Sequence, residues 1–264
     1  MRLLLTLQYL GTRYAGWQSQ TNAIAIQTVI EEVLAKLYNE PLRIEGAGRT
    51  DSGVHALAQR AHFDAPFPIP PRGLLMGMND LLPHDIRVTR AEEVAGDFHC
   101  RFDAKSKTYA YRIWNAEVMD VFRWETHAHV AKNLDVALMR EAARPLIGTH
   151  DFKSFTVIEP EVSSTTRTIT TVEVAGLPSC PVAESEHLAA AQPGNPATHD
   201  NTIVIRVSAD GFLRNMVRRI AGSLIEIGRG KLDAGAIARA LEPAFETARW
   251  TAPAKGLVLE EIRY

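Results

Sequence analysis

Cysteine is close to absent from this chain, and a long apolar run is missing altogether. Two cysteines, Cys100 and Cys180, stand among 264 residues. That is too few for the disulfide framework of a small secreted protein, and it suits a reducing compartment, so no Cys100–Cys180 bridge is expected. No stretch approaches the ~18 consecutive apolar residues of a membrane span. The opening Met1-Arg2-Leu3-Leu4-Leu5-Thr6-Leu7 is too short for a signal-peptide apolar region and reads as a strand. A cytoplasmic protein without membrane contact is the expectation. An excess of one charge is lacking too: 29 Lys and Arg meet 31 Asp and Glu, for a net charge of −2. This excludes a protein that coats nucleic acid through bulk electrostatics, but it leaves room for local basic patches. With 46% apolar and 23% charged residues, the chain is an ordinary globular one, long enough for one large core or two modest ones.

What is present is uneven. From Ile205 to Lys231 six basic residues (Arg206, Arg214, Arg218, Arg219, Arg229, Lys231) face two acidic ones, and from Cys100 to Arg123 five face three. The elements follow from periodicity. Residues 3–9 alternate as a strand. Apolar positions 26, 29, 30, 33, 34 and 37 predict a helix over 24–38 that stops before Pro41. Short strands over 42–46 and 56–63, a helix over 73–81 and a strand over 86–91 complete a first half. The second half predicts strands over 108–114, 167–174, 201–208 and 256–262. Helices are expected over 134–146, capped by Asn133, over 212–227 and over 234–241. Two related α/β halves follow, residues 1–103 and 104–264, with abutting sheets and a cleft between them.

The most informative stretch is Gly46-Ala47-Gly48-Arg49-Thr50-Asp51-Ser52-Gly53-Val54-His55-Ala56. Three glycines in eight positions allow positive φ or close backbone approach around an Arg and an Asp. A dinucleotide fingerprint fails because the third Gly comes two positions late. A phosphate-cradling loop fails because no Lys follows Gly53, and Asp51 would repel the phosphate.

The Gly48-Arg49-Thr50-Asp51-x-Gly53-Val54-His55 core resembles the active-site motif of the tRNA pseudouridine synthases of the TruA family. Further blocks resemble that family in the same order. They are Tyr14-x-Gly16-Trp17-Gln18, then Asp97-Phe98-His99-x-Arg101-Phe102 with Lys107-Thr108-Tyr109-Ala110-Tyr111, then Phe212-Leu213-Arg214-Asn215-Met216-Val217-Arg218, and Ala254-x-Gly256-Leu257. The resemblance implies an α/β (α+β) fold whose two halves build a mainly antiparallel platform. It implies isomerisation of uridine to pseudouridine at positions 38, 39 and 40 of the tRNA anticodon arm, by a homodimer, with no cofactor and no metal. Residues 176–200 depart from the family's short connection; four prolines and Ala-rich filler suggest a mobile surface loop.

The reaction breaks the uracil N1–ribose C1′ bond and rejoins the base through C5. It asks for a carboxylate that can bond covalently and leave again, and Asp51 matches. By resemblance Arg214, expected at the start of the 212–227 helix, supplies the cation that keeps Asp51 ionised, and Arg49 holds the place of the flipped nucleotide. Tyr109 matches the tyrosine that stacks on uracil and takes part in proton transfer at C5, and Leu257 the apolar pocket wall. Arg218 and Arg219, one turn on, are expected to meet phosphates. Tyr111 shares the face of Tyr109 in a period-two strand, and only the motif separates them. His55 reads as support for the loop. His127, His129 and Cys100 are poor metal candidates, lacking ligand spacing and nearby carboxylates. Two other classes are weighed. A non-catalytic RNA-binding protein would not need Asp51. A glycosidase needs a second facing carboxylate, for which Glu45 is the nearest and has no motif.

Overall fold

The computed structural model describes residues 1–157, 163–176, 201–242, 248 and 250–264. The first half runs β1 (Arg2–Tyr9), α1 (Ile26–Tyr38), β2 (Glu45–Gly46), β3 (His55–Asp64), α2 (Pro71–Leu81) and β4 (Ile86–Val94). The second runs β5 (Ser106–Trp114), β6 (Ala128–His129), α3 (Val136–Ala143), β7 (Gly148–Asp151), β8 (Thr166–Gly176), β9 (Thr202–Ala209), α4 (Met216–Gly228), α5 (Ala236–Ala240) and β10 (Leu257–Arg263). All strands belong to one sheet of order β4-β1-β3-β10-β5-β9-β8-β7, with β2 added on β3 and β6 on β5. Every pairing is antiparallel except β10 with β3 and β6 with β5. The expected pair of abutting sheets is therefore one continuous platform, and the chain's last strand is the seam that joins its halves.

Alternation decides which side chains face the helices. Leu3, Leu5 and Leu7 of β1 stand opposite Phe63, Ala61 and Gln59 of β3, and all are buried. In β5 the odd positions Tyr109, Tyr111 and Ile113 are buried, opposite Val207, Ile205 and Ile203 of β9. Against this face α1 lays Ile26, Ile30, Val33 and Leu34, and α4, which packs on β5, lays Met216, Val217, Ile220 and Leu224. Burial of each such side chain is worth about 1.5–3 kcal/mol before chain entropy is counted.

Helix ends shift by a few residues from the sequence reading, and two of the shifts have a clear cause. Asp135, not Asn133, caps α3, its carboxylate accepting from the Leu138 N–H at 2.9 Å. The helix expected from Phe212 starts at Met216, because Asn215 takes a left-handed conformation (φ 60°) that breaks helical continuity. The 177–200 part of the insertion, and Cys180 with it, lies outside the described residues. Cys100 is a free, buried thiol. Among the described residues no helix is long and apolar enough to cross a membrane.

Candidate active site

Residues 47–54 bridge β2 to β3, and bonds from several other segments brace this loop. The Val54 N–H closes on the Asp51 carbonyl at 3.1 Å, over a Gly53 whose φ of 78° a side chain would resist. Tyr14 and Trp17 grip the turn from outside: Gly53 N–H and Ser52 Oγ both donate to the Tyr14 carbonyl, and Trp17 N–H donates to the Thr50 carbonyl at 3.0 Å. Beneath the loop, Gln59 Nε2 donates to the Gly48 carbonyl at 2.8 Å and Lys107 Nζ to the Ala47 carbonyl at 2.6 Å. Burial, then the nearby Arg101 charge, lowers the Lys107 pKa. Thr50 Oγ1 shares a hydrogen with Tyr9 Oη at 2.9 Å, and burial pushes that phenol up to about 12.

His55 ties the loop to two other segments. Its Nδ1 accepts from the Gly11 N–H at 2.9 Å, so the proton sits on Nε2, which faces the Glu125 and Lys255 carbonyls at 2.9 and 3.1 Å. Burial lowers its pKa. A neutral ring with both nitrogens engaged is a brace, as expected, and is not free to act as a base.

The Asp51 side chain, 27% exposed, stands 3.7 Å from Arg218 Nη1. Arg218 is itself anchored: Nε donates to the Ala252 carbonyl at 2.9 Å and Nη1 to Asn215 Oδ1 at 2.9 Å. Tyr109 is buried, its ring edge-on to Phe212 at 5.1 Å between centroids. Burial, Tyr9 and the Asp51 charge push its hydroxyl well above the ordinary phenol range. It is therefore a neutral hydroxyl within electrostatic reach of the carboxylate. Leu257 is buried at the head of β10, paired with Tyr111 of β5. Tyr111 is spent on structure: its hydroxyl donates to the Pro253 carbonyl at 2.8 Å, and its ring fills the space a Gly256 Cβ would need. The structure thus separates two tyrosines that periodicity could not.

The arginines divide between the site and the fold. The guanidinium 3.7 Å from Asp51 is that of Arg218, a residue the sequence assigned to phosphates. Arg214 is exposed and precedes α4, its carbonyl accepting from Thr156 Oγ1 at 3.0 Å. Arg219, the other expected phosphate ligand, turns inward to the Thr156 carbonyl at 2.6 Å; neighbours on a helix point about 100° apart. Arg206 pairs with Glu260, and both Arg229 and Lys231 with buried Glu226. Much of the basic run serves the fold. Arg49 is exposed, and no ion pair or hydrogen bond restrains its side chain among the described residues. It lies in the loop between β2 and β3. Asn215, Thr50 and Tyr9 were not singled out from sequence. Thr50 and Asn215 carried a signal, each lying inside a quoted motif; Tyr9 carried none.

Cys100 has the neighbours that sequence spacing denied it. Glu45, His62 and His99 bring one ligand atom each within 4.8 Å of one another, and His62 Nδ1 lies 3.1 Å from Cys100 Sγ. Yet His99 Nδ1 accepts from the Arg101 and Phe102 N–H groups, which leaves its proton on Nε2, donating to Glu45 at 3.0 Å. A nitrogen that carries a proton offers a metal no lone pair, so the cluster reads as a hydrogen-bond network. A cavity of about 220 Å³ lined by Gln8, Leu57, Arg87, Arg112 and Val258 opens on the other sheet face. Arg112 and Val258 alternate with Tyr109 and Leu257, so the cavity lies behind the site and shares Tyr9 and His55 with the loop's support.

Comparison with known proteins points to one family. The profile of a family described as tRNA pseudouridine synthase matches residues 6–103 and 142–264. The chain is 39% identical over 264 residues to tRNA pseudouridine synthase A of Myxococcus xanthus, covering 100% of this chain and 92% of that protein. It is 40% identical to the protein of the same name from Ruminiclostridium cellulolyticum, covering 100% and 99%, and 40% identical to that from Pelobacter propionicus, covering 98% of each. With the profile matching on both sides of the sheet seam and these relatives matching end to end, the chain belongs to the tRNA pseudouridine synthase family.

Proposed function

We propose that this protein isomerises uridine to pseudouridine in the anticodon arm of tRNA, at positions 38, 39 and 40, with Asp51 as the nucleophile. The observation that carries the reading is a carboxylate on a braced loop, with a guanidinium 3.7 Å away and a buried aromatic ring within its electrostatic reach. The target base is stacked and must be flipped out, at a cost of a few kcal/mol. Arg49, exposed at the loop's lip, is the side chain free to take the vacated position. Once the nucleotide is in the cleft, Asp51 bonds to C1′ or to C6, and the N1–C1′ bond breaks. The base turns and C5 bonds to C1′, displacing Asp51 where it was bonded to C1′; C5 then gives up its proton, N1 ends protonated, and Asp51 (on the C6 route, freed from C6) is released unchanged. Arg218 keeps Asp51 ionised despite partial burial, since an opposite charge favours the charged form. Arg214 remains a candidate for the same field. Tyr109 and Leu257 wall the base in. The upward shift of the Tyr109 hydroxyl favours stacking and hydrogen-bond donation over service as a resting phenolate.

The finer reading extends to a homodimer gripping one tRNA, acting in the cytoplasm. Its support is apolar surface between β5 and β6, where Val118, Val121 and Trp124 are exposed and Phe122 is 93% exposed, more than a solitary surface needs. Sedimentation of the purified protein tests it; a monomer at micromolar concentration rejects it.

The chemistry is tested by release of tritium from tRNA carrying [5-³H]uridine. Wild-type protein should release tritium and leave pseudouridine at positions 38–40, with no free uracil. Asp51→Asn should abolish release while tRNA affinity stays within about threefold, because one neutralised side chain removes a covalent step and little binding. Activity retained by Asp51→Asn would reject the mechanism, and free uracil would indicate a glycosidase.

A further inference from the structure

Two non-glycine residues among those described have positive φ, Asn39 and Asn215. Asn39 ends α1, where a left-handed residue is routine. Asn215 stands at the start of α4, where an Asn normally adopts extended backbone and offers its side-chain oxygen to an N–H of the first turn. Here it does neither. Its φ and ψ are 60° and 1°, and its side chain makes no bond to the helix backbone. Its Oδ1 accepts instead from Arg218 Nη1 at 2.9 Å. A capping group has been diverted from the helix it should cap to a guanidinium.

The consequence lies in how Arg218 is aimed. Hydrogen bonds run both ways between residues 218 and 252: Ala252 N–H donates to the Arg218 carbonyl at 3.0 Å, and the Arg218 side-chain Nε donates to the Ala252 carbonyl at 2.9 Å. Those contacts fix the stem of the side chain. Rotation about the remaining torsion would still swing the planar head, and Asn215 stops it. Nη1 carries two hydrogens; one goes to Asn215, and the other is left on the side of Asp51, 3.7 Å away. Left-handed backbone outside glycine persists where surrounding structure demands it, and it gathers at functional sites.

We propose that Asn215 is a positioning residue for the isomerisation: its left-handed backbone turns the amide oxygen onto Arg218 so that the guanidinium is presented to Asp51. This rests on the reading of Asp51 and Arg218 given above. Gly would suit the same backbone and lacks only the amide, so Asn215→Gly isolates the contact.

The test is the single-turnover rate of tritium release, followed from pH 5 to 8.5, with tRNA affinity and thermal unfolding measured alongside. Asn215→Gly should fold with an unchanged or higher Tm and bind tRNA within about twofold of wild type. Its rate should fall about 10- to 100-fold, the scale of a misplaced catalytic group. The acid limb of its profile should move to higher pH, because a loosened cation stabilises the carboxylate less. Asn215→Asp keeps an oxygen facing Nη1 and should recover most of the rate above pH 7. Its acid limb should lie higher still, since a second carboxylate competes for Arg218. A wild-type rate and profile in Asn215→Gly overturns the proposal, as does a rate loss that merely tracks lost folded protein. Should Asp51→Asn stay active, the underlying mechanism fails whatever Asn215 does.

Discussion

Gly16 lies against Thr50 so closely that a Cβ on Gly16 would be driven into the Thr50 carbonyl oxygen and sit 3.0 Å from the Asp51 carbonyl carbon. The two residues are 34 positions apart, yet the backbone of one shapes the loop that carries the nucleophile. Gly16 also has φ +90°, unfavourable for any side chain. Gly16→Ala should therefore displace the Asp51 loop and lose about 1–3 kcal/mol of stability from backbone strain. Tritium release should fall by more than the unfolded fraction explains. Thermal unfolding and single-turnover rates on the same preparation check this; an active enzyme of normal Tm would refute it.

The arginines of α4 should separate cleanly. Arg218→Ala removes a cation set against Asp51 and should lower the rate about 100-fold or more. Arg219→Ala instead strips the Thr156 carbonyl of its donor and should lower Tm while leaving the rate of the folded protein within about threefold. Equal catalytic losses from the two would mean that α4 acts as a unit rather than through one guanidinium.

These assignments also show where sequence reading stops. The Asp51 loop was legible because its requirements are local: glycines at tight places, an Asp that no phosphate cradle tolerates, a His that braces. Most elements were legible for the same reason, since periodicity is a short-range signal. The approach of Arg218 to Asp51 was not legible. It depends on where α4 begins, and Asn215 shifts that start from Phe212 to Met216. Nor was the position of β10, whose parallel pairing with β3 joins Val258 to His55 across the chain. The Cys100 cluster likewise exists because β2 pairs with β3 in a register that sets Glu45 opposite His62, which spacing along the chain cannot reveal.

Acid should destabilise the fold early. Burial lowers the pKa of His55, and burial with the His99 and Arg2 charges lowers that of His62. In the unfolded chain both titrate near 6.5. Above that pH neither state binds the protons, and the full stability is present. As pH falls below 6.5 the unfolded chain takes them up first, and stability drops until the folded-state values are reached. Each histidine that stays neutral contributes a slope of at most about 1.4 kcal/mol per pH unit. Tm measured from pH 8 to 5 should be flat and then fall below 6.5. In His62→Asn the fall should be shallower, and an unchanged slope would clear His62 of any part.

Tyr109 distinguishes stacking from proton transfer. Its ring is fixed edge-on by Phe212, and its hydroxyl titrates far above neutral pH. Tyr109→Phe keeps the wall and loses the hydroxyl, so the rate should stay within about tenfold of wild type. Tyr109→Ala opens the wall and should lose about 100-fold or more, on the scale of a lost positioning surface. If Phe were as damaging as Ala, the hydroxyl itself would be handling the C5 proton, and the stacking role would be secondary.

Arg49 should behave unlike every other arginine considered. It is exposed and unrestrained by any described partner, so Arg49→Ala should leave Tm unchanged within error. If it fills the gap left by a flipped uridine, its loss should slow isomerisation of structured tRNA but spare a substrate whose target base is already unstacked. Flipping costs least when the base is unpaired or single-stranded. Comparing release from an intact anticodon arm and from an unpaired variant of that arm reads this directly. The expected result is a defect of about tenfold or more on the first and little on the second, given a flipping cost of a few kcal/mol. A plain phosphate contact predicts something different: equal weakening on both RNAs and a salt slope reduced by about one.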